Sequence, residues 1–492
     1  MMSEIPLATP QGQGEVLSFQ SAVEDNDGGD SRGNIHESKK AKTNYDFICP
    51  YLDTINRNVL DFDFQKMCSI SLSVHNVYAC LVCGKYFQGR NDKTHAFDHS
   101  IHENHHVFLN LSTKKFYCLP DNYEFFDESL EDIIYLLLPV YDRTLLEVLD
   151  SERVCRAFDG STFNTGIIGI NNIKANDYSN VILMALAHIR PLRDFFLLNP
   201  ISKDMYSNRE NNIVVTFGEF VRKIWNIHNF RSHVSPHEIM QAIMVSSNNK
   251  FSFIRQSESC EFLSWFLNNL NQSLKKINTL KKDKKLFSNT FQGKLKVTSQ
   301  HSDNSSASKT TENITLSNFF LLPCDLEQTP LYPDNHKEKT IPQQSIYSLL
   351  NKYDGESVCQ NKGSNGGIIE KRYKITKLPP YLIIVYKRFQ KNYFLHEKIS
   401  TIIDFPLKGI DFSWYVDAVE DDQKTAARSK QYNIIANIIH DGEVKTGTYR
   451  LQLYHHGTKK WFEISDLNVK EIMPQEIMLS QSYIQFLERS DL

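Results

Sequence analysis

Cysteine and histidine crowd into one stretch of this chain, and that stretch limits what its first third can become. Five of the nine cysteines and six of the seventeen histidines fall between Cys49 and Cys118. Many aromatics accompany them. That is the composition of a small domain stapled by a metal ion. Its centre is Cys80-Leu81-Val82-Cys83, followed by His95, His99, His102, His105 and His106. A Cys-x-x-Cys turn offers two thiolates from one backbone knuckle. Two histidines from a following helix complete a tetrahedron, the geometry zinc takes in closed structural sites. His99 and His105 are the chosen pair, with His95, His102 and His106 left outside. The competing reading is a reduced cysteine pair near solvated histidines. Cys49, Cys68 and Cys118 lack a second knuckle, so they read as buried free thiols rather than a second site.

The remaining bulk properties exclude more than they assign. At 492 residues the chain is expected to hold two or three domains. The net charge of −3 gives no global basic field for nucleic acid, so any RNA association needs a local patch or a protein intermediary. Residues 1–20 lack an apolar run behind a basic start, so no secretory signal is expected. The most apolar short run, Tyr135 to Tyr141, is too short to span a bilayer, and no membrane partner is expected. The cysteine usage suits free thiols and metal ligands better than disulfides.

Along the chain, residues 1–44 are rich in Gly, Ser, Gln, Asn and acids, which predicts a disordered tail. Lys39-Lys40-Ala41-Lys42 reads either as a short nuclear-import signal or as an ordinary solvated run. Residues 45–128 form the finger. Residues 129–165 form a helical connector, with Ser and acids opening the helix at 129–141. A larger domain covers 166–492. In it, Asp177 opens a helix whose Tyr178, Ile182, Ala185 and Ile189 recur at helical spacing, with Pro191 as its stop. Further helices are expected at 219–228, 236–245 and 259–273. Strands are expected at Tyr381–Phe389, Tyr432–His440, Thr448–Tyr454 and Trp461–Ile464, so the class is α+β. The Ser, Thr and Asn content of 297–315 predicts a disordered insertion, and 420–431 a second exposed loop.

The finger segment resembles the ubiquitin-protease-type zinc finger, through CPYLDTINR, CLVCGKYFQGR, HAFDHSIHENHHVFLNL and YCLPDNYEF. It departs from the fuller three-zinc pattern at Gln88 and Tyr51. The resemblance implies one zinc, held by Cys80, Cys83, His99 and His105. Relatives that bind a free ubiquitin tail use an arginine after a glycine. Arg90 after Gly89 is the candidate for that contact, against a plain surface arginine.

Residues 166–492 resemble the ubiquitin-specific peptidase domain, which implies a papain-like fold of thumb, palm and fingers. A cysteine hydrolase needs a thiolate at a helix N-terminus, a histidine base, an orienting Asn or Asp and an oxyanion donor. Asp177 stands in the nucleophile position, Thr448 in that of the base and Ser465 in that of the orienting residue. Asn172 alone suits its role as presumed oxyanion donor. Gln256 and Glu261-Phe262 match the following helical motif. Lys174 replaces a glycine beside the would-be cleft. Cys324 and Cys359 lack the partners of a second, finger-type zinc site. His455-His456, Cys155 and Cys260 are poor substitutes for the missing groups.

The two domains together resemble one family, the inactive ubiquitin-specific-peptidase-like splicing factors, the snRNP-assembly-defective family. The runs CPYLDTINR, NNIKANDY and YHHGTKKWFEISDLNV carry that resemblance. It implies a nuclear, non-catalytic scaffold of pre-mRNA splicing. Such a protein associates with tri-snRNP proteins and supports the particle's assembly or integrity before activation. Contact with small nuclear RNA would be indirect, and the protein monomeric before docking. The competing readings are a deubiquitinase with unconventional residues, and a ubiquitin reader working through Arg90.

Overall fold

The computed structural model describes residues 48–151, 154–199, 213–276, 283–302, 312–327, 342–362, 368–391, 396–417, 429–444 and 446–492. The expected tail and its basic run lie outside them, and so do 303–311 and 420–428. No helix among the described residues is long and apolar enough to cross a membrane.

The finger is a five-stranded antiparallel sheet in the order Tyr86–Gln88, Val77–Cys80, Val107–Asn110, Phe116–Cys118, Tyr123–Phe125. Strand alternation sends its side chains to two cores. Val77, Ala79, Val107, Leu109 and Phe116 join one, while Tyr78, Cys80, Phe108 and Tyr117 join the other beneath the helix His95–His102. Phe230, from the larger domain, is buried in the first of these cores. Charge pairs reinforce the junction: Arg231 to Asp61 at 2.7 Å and Lys223 to Asp63 at 3.0 Å. Asp63 also accepts the Ser235 N–H at 2.8 Å.

The connector begins with two short helices, Glu131–Leu137 and Arg143–Leu149, but ends in an antiparallel strand pair, Val154–Arg156 with Thr162–Asn164, so 129–165 is not helical throughout. Pro139 lies between the two helices and forbids one continuous helix. The helix Asp177–Ala187 is buried along its whole length. Pro191 does not stop it. The helix has already ended at Ala187, and Pro191 sits in the first turn of the next, Arg190–Leu198, where a missing N–H costs nothing. Ile213–Ile224, His237–Ser246 and Ser259–Lys276 complete the helical half.

These helices pack on an eight-stranded sheet. Its main path runs Leu321–Asp325, Tyr381–Lys387, Ser482–Arg489, Gln431–Asp441, Thr448–His455, Lys460–Ser465, Asn468–Ile472. Ile383, Ile438, Leu451 and Ile484 face the helices in the main core, whereas Leu382, Ile384, Ile434 and Leu487 face a second core on the other side. A sheet covered on both faces explains near-continuous apolar runs such as YLIIVYK.

A separate four-stranded sheet, Glu312–Phe319, Gly293–Ser302, Ile368–Lys377, Cys359–Lys362, corrects the expected insertion at 297–315. Residues 297–302 and 312–315 belong to paired antiparallel strands, with Val297 opposite Thr315. Polar composition misled there. An edge strand exposed on both faces needs no apolar pattern, because its backbone ladder holds it. Gln431, placed at the end of a loop by composition, opens a long central strand.

Candidate functional site

The finger's knuckle forms where the strand Val77–Cys80 ends. Gly84 N–H bonds to Cys80 O, and Cys80 N–H to Lys85 O, both at 2.9 Å. Gly84 has φ +75°, and a Cβ there would lie 2.5 Å from Val59 O, so only glycine closes this turn. His99 comes from the helix and His105 from the loop after it. Cys80 Sγ lies 3.6 Å from His105 Nδ1, Cys83 Sγ 3.5 Å from His99 Nε2, and the two histidine nitrogens 3.1 Å apart. All four ligand atoms are within 4.8 Å of one another. A zinc tetrahedron with bonds of about 2.3 Å to sulfur and about 2.0 Å to nitrogen has edges of this order. Phe87 stacks on His99 with centroids 4.1 Å apart and holds the ring in place.

Among the described residues no other such group occurs. His106 is occupied by Leu119 O at 2.7 Å and Asn104 Oδ1 at 2.9 Å. Cys49, Cys68 and Cys118 are buried. Arg90 lies 4.4 Å over the Tyr117 ring, and its Nη1 donates to Asn122 Oδ1 at 2.5 Å. Arg90 thus packs on the finger through one ring and one amide.

The second site gathers the positions read as degenerate. Asp177 is the first residue of its helix and is 4% exposed. Its carboxylate accepts the Tyr449 N–H at 2.9 Å and the Gln256 amide at 3.1 Å and 3.3 Å. The same Gln256 nitrogen donates to Gly447 O at 2.5 Å. One carboxylate thus ties together the helix, the segment before Ser259 and the Thr448 strand. Burial raises the Asp177 pKa against the opposing pull of these hydrogen bonds.

Asn172 lies beside it, but its amide is engaged. Its Nδ2 donates to Asp466 Oδ2 at 3.2 Å, and its Oδ1 accepts the Asn176 N–H at 3.0 Å. Asp466, with φ +53°, is the carboxylate of this corner. Ser465 pairs with Asn468 at the base of the hairpin and has no described bond to Asp177 or Thr448. The sequence reading put weight on Ser465 and passed over its neighbour. Thr448 is exposed opposite Asp441, and the alternation puts Tyr449 inward.

One histidine does approach this corner and was missed. His440 is buried opposite Tyr449, its ring 4.8 Å from that of Tyr449. A Cβ on Gly447 would fall 2.4 Å from His440 Nε2. Burial pushes His440 down to about 4, so it is neutral at neutral pH. In the sequence His440 is the last residue of the expected strand Tyr432–His440, and nothing local shows which face its ring takes.

The remaining histidines and cysteines of this region have other contacts. His455 Nδ1 lies 3.0 Å from Thr458 Oγ1, and His456 is held by Arg190 at 3.2 Å. Cys260 is pushed up to about 12 by burial, and Cys155 lies against Thr165 at 3.6 Å. Lys174 is exposed. Beside Asp466 and Tyr449 there is a packing void of about 10 Å³, lined by core residues such as Val181, Leu451 and Ile464. A cavity of about 760 Å³ lies elsewhere, between the finger, the connector and the helical half, bordered by Phe62, Leu138, Tyr141, Arg222 and Phe230.

Fold and site together define a ubiquitin-peptidase-type domain packed behind a zinc finger of the ubiquitin-hydrolase type. A family model described as ubiquitin carboxyl-terminal hydrolase matches residues 168–487. One described as Zn-finger in ubiquitin-hydrolases and other protein matches residues 68–130. The chain belongs to the ubiquitin carboxyl-terminal hydrolase family. Within it, the chain is 46% identical to human ubiquitin carboxyl-terminal hydrolase 39, over 90% of this chain and 80% of that protein. It is 39% identical to a Schizosaccharomyces pombe protein named "Probable mRNA-splicing protein ubp10", over 89% of this chain and 88% of that one. A solved structure described as that of an essential yeast splicing factor matches with a TM-score of 0.70 at 29% identity, covering 89% of this chain and 99% of that chain. The expected α+β fold therefore holds. The helical half is the thumb, the eight-stranded sheet the palm and the four-stranded sheet the fingers.

Proposed function

We propose that this chain is a non-catalytic pre-mRNA splicing factor. In this reading its peptidase-like domain is a scaffold that binds tri-snRNP proteins and supports the particle's assembly or integrity before spliceosome activation. It would act in the nucleus, as a monomer before docking. The names of the relatives support the splicing part. The observation that carries the non-catalytic part is the Asp177 carboxylate, whose hydrogen bonds go to Tyr449 and Gln256. A nucleophile needs a free lone pair aimed at a carbonyl and a base to restore it. Here the acceptor is used structurally, Thr448 cannot act as a base, and Asn172 is turned to Asp466. Cys80, Cys83, His99 and His105 would hold one zinc, which supplies folding energy to the finger rather than chemistry.

The test is affinity purification of the tagged full chain from nuclear extract, with bound RNAs and proteins identified. Enrichment of tri-snRNP proteins and RNAs is the expected result. Ubiquitin conjugates without snRNAs would overturn the splicing reading. Release of a fluorophore from the ubiquitin C-terminus, lost in Asp177→Ala, would overturn the non-catalytic one.

A further inference from the structure

The four-stranded sheet carries a feature that no single stretch of sequence displays. Its register places Lys294 opposite Lys377, Lys296 opposite Lys374 and Thr298 opposite Arg372. Residues directly opposite in an antiparallel pair share a face, so five cations lie together on one side. Leu295 and Ile375, on the other side, are buried in the second core. The cationic side is therefore the outer one. On the neighbouring edge strand Leu316 and Ile314 pair with Lys296 and Thr298, and they are 68% and 56% exposed.

Lysines elsewhere in this region find acids: Lys352 and Lys387 both pair with Asp325. Among the described residues, Lys294, Lys296, Arg372 and Lys377 have no such partner. Like charges directly opposite each other weaken a ladder, so this arrangement opposes the sheet's own stability. Glu312 and Glu370 lie at the far end, across from Gln300. Lys374 reaches sideways and donates to the carbonyls of Asp354 and Trp414 at 2.8 Å and 3.0 Å. Trp414, beside the patch, is 75% exposed. Water is a poor place for an indole unless something stacks on it.

We propose that this face binds single-stranded RNA, with its cations on successive phosphates and Trp414 stacked on a base. Cations on adjacent strands and at alternate residues are about 5–7 Å apart, a track that an extended phosphate backbone can follow. An acidic protein is the competing occupant, and the polyglutamate competition below distinguishes it. The choice of RNA as the polyanion rests on the splicing reading above; the charge and stacking argument does not.

The experiment titrates the full chain into a fluorescein-labelled oligouridylate and follows anisotropy at several salt concentrations. Binding should weaken with salt, with a slope near −0.7 per phosphate, about −3 for four contacts. Lys296→Glu, Arg372→Glu and Lys377→Glu together should cost at least tenfold and reduce the slope by about 2. Trp414→Ala should cost severalfold with the slope unchanged. The charge-matched control Lys275→Glu, Lys276→Glu, Lys284→Glu, outside the sheet, should bind as the parent does. Absence of binding at micromolar protein in low salt would overturn the proposal. So would a sheet variant that binds like the control, or polyglutamate that displaces the RNA as well as unlabelled RNA does. Recovery of spliceosomal proteins from nuclease-treated extract reads the scaffold role separately, and the sheet variant should retain it.

Discussion

Asp177 decides how the centre of this molecule is read. Its helix start is a position where a carboxylate is favoured by the dipole and by free N–H groups. It goes further and receives the Tyr449 N–H from another element. Removing it leaves that buried donor without a partner, a loss of about 1–3 kcal/mol. Asp177→Ala should therefore destabilise by that amount in chemical denaturation. Burial raises the Asp177 pKa, so the folded state prefers the protonated acid. Its contribution is fully present below the unfolded value of about 3.9 and is lost as pH rises through the folded value. Relative to wild type, Asp177→Asn should gain stability as pH rises from about 4 to 7. Parallel stability curves for the two proteins over that range would refute the assigned cause. Asp177, Thr448 and Asn172 were legible in the sequence because motif positions are local. Asp466 and His440 were not, since their roles depend on which side of a strand or turn faces the corner.

At the scale of elements, the finger depends on a knuckle and a borrowed ring. The Cys-x-x-Cys spacing disclosed the knuckle, and the histidine density disclosed its partners. Cys83→Ser should lower bound zinc from one equivalent to none by elemental analysis; retention of one equivalent would discredit the quartet. The borrowed ring was invisible: Phe230 lies far along the chain yet completes the finger's core. Phe230→Ala should cost about 3–5 kcal/mol. It should also loosen the finger from the thumb, seen as faster proteolysis of the finger with the peptidase-like domain intact. Unchanged proteolysis would mean that the Asp61 and Asp63 ion pairs hold the junction without it. The four-stranded sheet marks the limit of composition as a guide. Ser, Thr and Asn suit a strand whose ladder is satisfied and whose outer face is wet, and only the pairing distinguishes it from a loop.

Across the whole molecule, the peptidase-type architecture holds the Asp177 corner against the main core. The main core joins thumb to palm across that corner, with Tyr178, Leu451 and Ile464 all buried in it. A cavity of about 760 Å³ lies at the junction of finger and thumb. These features suit a protein that works by presenting surfaces, a reading that the sequence carries through its resemblance to the peptidase domain and the groups missing from it. What it could not reach was where the surfaces lie, because those depend on strands brought together from distant segments. The direct test is restoration of splicing in nuclear extract depleted of this protein, using Asp177→Asn that is folded and recovered with the tri-snRNP. Restoration equal to wild type is predicted. Loss of splicing by that folded, docked variant would contradict the scaffold account and return chemistry to Asp177.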